Sequence, residues 1–198
     1  MTKADPQTPT RERLIGAMLD ALRTRGFHGI GLSELLTQAG APKGVLYHHF
    51  PGGKTELAIA AIESAIAGML ASLDRLLAAH VDPADALEAW MSGAQKLLLA
   101  SGFERGCPLA TVALESTPED LTLRAALSAG FAAIRERLSG ALQQHGMSDT
   151  AARQSAMLIV AAYEGALLQA RVAGNVNAMA DTCDALVSMI RPQLRSRP

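Results

Sequence analysis

The sequence predicts an all-α protein: an N-terminal three-helix helix-turn-helix domain, then a larger helical body, about nine helices in all. Three observations predict this. Alanine and leucine, both strong helix formers, dominate a chain of 198 residues that is 49% apolar and only 19% charged. Apolar residues recur at three- and four-residue spacing in segment after segment, and no segment alternates convincingly with the period of two that marks a strand. Pro9, Pro42, Pro83 and Pro118 each stand where such a segment opens, the helical position at which a missing N–H costs nothing.

The elements follow in order. Residues 1–7 are expected to be disordered. Thr8 or Thr10 is placed to cap a first helix, in which Leu14, Ile15, Met18, Leu19 and Leu22 share a face, and Gly26 ends it. Phe27 and Ile30 are suited to plugging the small core beneath. A second helix spans about Leu32–Ala39, with Glu34 in the first turn, where a negative charge suits the helix dipole. Gly40 makes the turn, Pro42 opens a third helix to about His49, and Pro51-Gly52-Gly53 breaks the chain. From Lys54 a long helix runs to about Ala79. Further helices are expected from Asp82-Pro83 to about Leu98, from Pro108 to about Ser116, from Pro118 until Gly146 stops it, from an Asp149 cap to Ala173, and from about Asn177 to Leu194.

Charge and cysteine usage bound the chemistry. Residues 1–56 hold seven Lys/Arg against five Asp/Glu, a net +2, whereas residues 57–198 hold eleven against fourteen, a net −3. The positive part is the one that would face phosphates, and it also contains His28, His48 and His49. Cys107 and Cys183, 76 residues apart, have no partners at metal-ligand spacing, and are read as small buried hydrophobes. Cys107 precedes Pro108, and a helix N-terminus there would favour a thiolate; a packed turn is preferred to a redox sensor. Neighbouring helical residues such as His48 and His49 diverge by about 100° and do not chelate one ion easily, so no metal or other cofactor is expected. The N-terminus lacks the apolar stretch of a signal peptide, and no run of 18 residues is wholly apolar, so no membrane span and a cytoplasmic location are expected. Nucleophile-elbow, phosphate-loop, dinucleotide and zinc-helix motifs are missing from the sequence, so no enzyme is expected.

Between Gly31 and Leu57 two short helical stretches flank a tight turn, the layout that places a second helix in the major groove of DNA. The N-terminal turn of that helix meets base edges, and here it reads Ala41-Pro42-Lys43-Gly44-Val45. A lysine at this place donates to guanine O6 and N7; Gly44 allows close backbone approach, and Val45 suits a thymine methyl. Leu46 and Phe50 are expected to face inward. Tyr47 and His48 are placed for phosphates, and Lys54 and Thr55 begin a helix whose amides also suit one.

The string Lys43-Gly44-Val45-Leu46-Tyr47-His48-His49-Phe50-Pro51 resembles the DNA-binding domain of the TetR/AcrR family of bacterial transcriptional regulators over about residues 10–60. The resemblance implies that Lys43, Gly44 and Val45 meet bases, and that Tyr47, His48, Lys54 and a residue near Ser33 meet the DNA backbone. Two residues, Gly52 and Gly53, separate Pro51 from Lys54 where many members have one; this is similar to the LmrA/YxaF-like branch, as are the segments at 106–115 and 164–171. The resemblance further implies a domain at 1–53 that binds double-stranded operator DNA and a domain at 54–198 that dimerises and holds a small-molecule effector. A lone helix-turn-helix reads too few base pairs for specificity, which argues independently for a homodimer spanning two half-sites.

The penultimate helix is rich in small residues that permit close helix approach, so Ala161, Gly165, Leu168 and Val172, with Cys183, Leu186, Val187 and Ile190 of the last helix, are the candidate interface. Met69, Trp90, Met91, Gln95, Phe103, Cys107, Phe131, Met157 and Tyr163 are candidate pocket residues, with Glu115, Gln169 and Asn175 as further polar groups. The ligand such a pocket suits is small and mostly apolar. The resulting expectation is a repressor released from a palindromic operator by that molecule. The rival is an all-helical small-molecule-binding protein or enzyme with a vestigial DNA-binding end.

Overall fold

The computed structural model describes residues 8–194. Among these are nine α-helices, one closing 3-10 turn and no strand. They are α1 (Thr10–Thr24), α2 (Leu32–Ala39), α3 (Lys43–His49), α4 (Gly53–Ala79), α5 (Pro83–Ala100), α6 (Pro108–Glu115), α7 (Leu121–Gln144), α8 (Asp149–Ala173) and α9 (Asn177–Ile190). The all-α expectation matches this architecture. The expectation of disorder at residues 1–7 lies outside the described residues.

Helix ends follow local chemistry, and four differ from the sequence reading. α1 begins beyond Pro9 without a threonine side-chain cap; Thr10 Oγ1 instead accepts from Arg13 Nη2 at 3.4 Å. α7 begins at Leu121 rather than Pro118: Thr117–Asp120 is a separate turn, in which Asp120 N donates to Thr117 O at 3.1 Å and the Asp120 carboxylate accepts from Thr117 N at 2.8 Å, and Leu121 N bonds Glu119 O instead of Thr117 O. Ser148, not Asp149, caps α8, its hydroxyl accepting from Ala151 N at 3.3 Å. α9 stops at Ile190 and tightens into a 3-10 turn over Arg191–Gln193, since Pro192 cannot donate to a continuing helix. The start of α5 follows expectation: Asp82 accepts from Ala84 N at 2.8 Å ahead of Pro83.

The described chain packs as two compact units. One runs to Ile66 and resumes over Cys107–Gly130; the other takes Ala67–Gly106 and continues from Phe131. In the first unit α1 packs against α2, α3 and α6 around Leu14, Met18, Leu22, Leu35 and Leu46, each fully buried. Gly130 brings α7 close to α4, for a Cβ there would meet Ile66 Cδ1 at 2.4 Å. In the second unit α9 packs against both α8 and α5, burying Met179, Cys183, Leu186 and Ile190. Arg191 bonds Asp82 and Asp85, tying the closing turn to the head of α5.

Long alanine-rich helices carry high hydropathy whatever their setting. α4 and α8 reach mean hydropathies of 1.6 and 1.3 over 18-residue windows, long and apolar enough by composition to cross a membrane, although no wholly apolar run occurs. One or two such helices are by themselves weak evidence of a membrane span.

Asp82→Ala should lower the free energy of unfolding by about 1 kcal/mol, whereas Asp82→Asn, which keeps a capping oxygen, should cost much less. Urea-denaturation midpoints of the two variants check this.

Candidate nucleic-acid interface and effector domain

α3 is seven residues long and has two faces of opposite character. Leu46 and, just past the helix, Phe50 are 0% and 2% exposed, four positions apart and therefore on one side. Their burial turns Pro42, Lys43, Gly44, Tyr47 and His48 outward, with Val45 half-buried at the edge. Gly40, at φ 59°, turns the chain between α2 and α3, a left-handed conformation that suits glycine. Arg13 Nη2 donates to Gly40 O at 3.3 Å and so holds this turn from α1. Arg25 pairs with Glu34 at 2.7 Å across the α1–α2 corner. Ser33 and Thr55 are exposed at the first turns of α2 and α4.

After α3 the Pro51-Gly52-Gly53 turn is closed by Glu56, whose carboxylate accepts from Gly52 N at 2.7 Å. Gly53 has φ 68°, and a Cβ there would stand 3.4 Å from the Tyr47 ring. The aromatic side chain thus rests against the turn. His48 and His49 rings meet edge to face at 5.1 Å. Among the described residues no three His, Cys, Asp or Glu side chains are grouped to hold a metal ion.

Lys54 departs from the sequence reading, which aimed it at phosphate. Its ammonium is half-buried; Nζ donates to Phe27 O at 2.6 Å and lies 4.6 Å from the centre of the Phe27 ring. Burial lowers its pKa, an effect partly opposed by the charge of Glu115. Glu115 itself was read as a polar group for a ligand pocket. Its Oε2 instead accepts from Phe27 N at 2.7 Å and His28 N at 3.1 Å. Nothing in the local pattern of α6 could reveal this, since the partners lie 88 and 87 residues away.

The pocket residues distribute differently from expectation. Met91 is fully buried, and Trp90 stacks on Tyr163 with ring centres 4.7 Å apart. Gln95, Phe103, Phe131 and Met69 are half-buried, and Cys107 is buried at the head of α6. Met157 is 55% exposed. Gln169 Nε2 bonds its own helix at Gly165 O, and Asn175 bonds Ala173 O and Asn177 N, so neither is committed to a pocket. The second unit does hold an apolar gap, but Leu73, Leu77, Leu87, Leu138, Leu142 and Ile159 line it, and it is at most the size of one water. Neither cysteine is in a disulfide. Burial raises the Cys183 thiol pKa, as do the charges of Glu88 and Asp184, which disfavours the reactive thiolate.

Three of the eight expected interface residues are internal. Cys183, Leu186 and Ile190 are 5%, 4% and 0% exposed within the single chain, buried where α9 meets α8 and α5. They are not surface available to a second copy. α8 keeps an outward apolar stripe: Met157, Leu168 and Val172 are 55%, 53% and 82% exposed, with Ala161 exposed and Gly165 half-buried between them.

Residues 14–61 match the model for bacterial regulatory proteins of the tetR family, and residues 83–185 match that for the C-terminal domain of LmrA/YxaF-like transcriptional regulators. The chain belongs to the TetR family of transcriptional regulators. It is similar to the HTH-type transcriptional regulator LmrA of Bacillus subtilis, 28% identical over 84% of this chain and 88% of that protein. An uncharacterized HTH-type transcriptional regulator of Mycobacterium tuberculosis is 34% identical over 82% of this chain and 84% of its own. The HTH-type transcriptional repressor NemR of Escherichia coli is 32% identical over 82% and 84%; its reduced form superposes with TM-score 0.78 over 89% of this chain and 94% of that one. TetR-family proteins of this kind are DNA-binding transcription regulators and not enzymes, and the outward face of α3 is the DNA-reading candidate in this member.

Removing the Lys54 ammonium while keeping its stem (Lys54→Met) should lower unfolding stability by about 1 kcal/mol through the lost charge-assisted bond to Phe27. Lys43→Met, at an exposed position, should stay within about 0.5 kcal/mol of the unaltered chain. Chemical denaturation of both proteins separates the structural lysine from the surface one.

Proposed function

We propose that this regulator is a ligand-responsive repressor that binds a palindromic operator as a homodimer. Residues 1–53 would serve as the reading head and 54–198 as the effector-binding and dimerising body. The observation that carries the DNA reading is the two-faced α3: buried Leu46 and Phe50 hold Lys43, Gly44, Tyr47 and His48 outward as one surface. In this reading Lys43, Gly44 and Val45 meet base edges, led by Pro42, while Ser33, Tyr47, His48 and Thr55 meet phosphates. Lys54 serves the same surface indirectly, by holding the turn at Phe27.

The homodimer reading rests on the stripe Met157, Ala161, Gly165, Leu168 and Val172, spaced four, four, three and four residues along α8. Such spacing forms a continuous seam on one helix face, and here the seam faces outward. Val187, half-buried on α9, is the one further interface candidate of that helix left outside its buried stripe. A two-fold partner presenting the same seam buries it, and two reading heads then fit half-sites roughly 34–36 Å apart or a multiple of that. The repressor role follows the name of the relative NemR. The effector in this reading is a small, mostly apolar molecule, and to occupy the gap beside Leu73 and Leu138 it would have to widen it. A hundredfold preference of the ligand for the DNA-free state is worth roughly 2.7 kcal/mol. The cytoplasm, where operator DNA resides, is the corresponding location.

Footprinting with the purified chain on its own upstream DNA, with and without small apolar molecules, tests the proposal. A protected palindrome, released by one such molecule, supports it; no protection over bulk competitor DNA sinks it. Lys43→Ala should cost about 1–3 kcal/mol at the operator and relax preference at one base position, whereas a uniform loss across sequences would remove Lys43 from the base contacts. Leu168→Glu should convert the dimer to a monomer by light scattering and abolish operator protection. A strictly monomeric unaltered chain would refute the two-fold reading.

A further inference from the structure

The turn between α1 and α2 is held from two sides. α1 ends at Thr24, and the N–H groups of Arg25 and Gly26 still donate to Ala21 O, at 2.8 and 3.1 Å. The next two donors, Phe27 N and His28 N, both point at one oxygen, Glu115 Oε2. Gly26 has φ 78°, and a Cβ placed on it would stand 1.8 Å from Glu115 Oε1. The carboxylate therefore lies directly on the glycine backbone, and a side chain at residue 26 would displace it. On the same turn the Phe27 carbonyl accepts from Lys54 Nζ, and the Lys54 ammonium and the Glu115 carboxylate act on each other electrostatically. The last residue of α6 and the second residue of α4 thus grip one peptide segment of the reading head. From His28 only Gly29, Ile30 and Gly31 intervene before α2, and α1 and α2 both pack on α3.

We infer that Glu115 is a positioning residue for DNA recognition: with Lys54 it latches the α1–α2 turn to α6 and α4 and thereby sets the posture of the helix that reads DNA. Glu115 carries no group that attracts phosphate. As a negative charge in the DNA-reading unit it opposes binding through the long-range field. Electrostatics alone therefore says that neutralising Glu115 strengthens DNA binding. The latch says the reverse, because two backbone donors lose a charged acceptor and the turn is freed. The opposite signs make the inference decidable, and it rests on the reading of α3 as the DNA-contacting helix.

The experiment uses the full chain and the duplex that the unaltered chain enriches from a random-sequence pool. Glu115→Ala should bind that duplex about tenfold more weakly, and Glu115→Gln, which keeps one uncharged acceptor, should fall between. Salt dependence should be unchanged in both, unlike Lys43→Ala, which should lose about one unit of slope. Urea midpoints measured beside the affinities show whether each variant is folded under the binding conditions; if the alanine variant is not, the glutamine variant carries the comparison. Binding by folded Glu115→Gln as tight as, or tighter than, that of the unaltered chain overturns the latch. So does an affinity loss that merely equals the unfolded fraction. Failure of the unaltered chain to enrich any duplex defeats the DNA reading, and the latch with it.

Discussion

Helices of seven or eight residues do not persist alone in water, because the cost of nucleating a turn is not recovered over so few hydrogen bonds. α2 and α3 are of that length. Their existence depends on burying Leu35, Leu36, Leu46 and Phe50 in the core they share with α1, and so does the outward face of α3. The same burial that stabilises α3 decides which of its residues meet the outside. Folding and recognition are in this sense one constraint: moving the apolar pair by one position would rotate Lys43 and Tyr47 away from the surface together.

Around this core the polar contacts act on turns rather than on helix faces. Arg13 holds the α2–α3 turn at Gly40, Glu56 closes the turn before α4, and Glu115 and Lys54 hold the α1–α2 turn. Turns are where orphaned backbone donors and acceptors collect, so a single charged side chain satisfies two at once, as Glu115 does. These residues are few and mostly half-buried, which fits a head of only modest net positive charge: part of its ionic complement is committed to its own backbone. The exposed Lys43 remains outward on α3.

The second unit follows a different economy. Its interior is filled by alanine, leucine and isoleucine with one Trp90–Tyr163 stack, and the residual gap is apolar and small. The outer stripe of α8 is instead left open. A helix apolar on two faces has one face for its own chain and one to spare. α9, with a single stripe, spends it inside.

The helical class, the position of seven of nine helices to within a residue or two, and the inward direction of Leu46 and Phe50 were legible from periodicity and from proline and glycine placement, because these are local rules in which each residue reports on its neighbours along the chain. The family-defining segment, within residues 14–61, was legible for the same reason, being one contiguous string. The start of α7 was misplaced because the backbone of Thr117–Asp120 closes its own turn, with Asp120 N bonded to Thr117 O, before the helix begins. What escaped the sequence was partnership at a distance. Met157 and Cys183 both carry an apolar side chain at helical spacing, and only packing sends the first outward and the second inward. Lys54 and Glu115 read as ordinary charges for a phosphate and a ligand, and only the approach of α6 to a turn nearly ninety residues earlier makes them hold backbone instead. Periodicity along the chain determines that a face exists; the tertiary fold decides what it meets, since that depends on which distant element arrives to bury it.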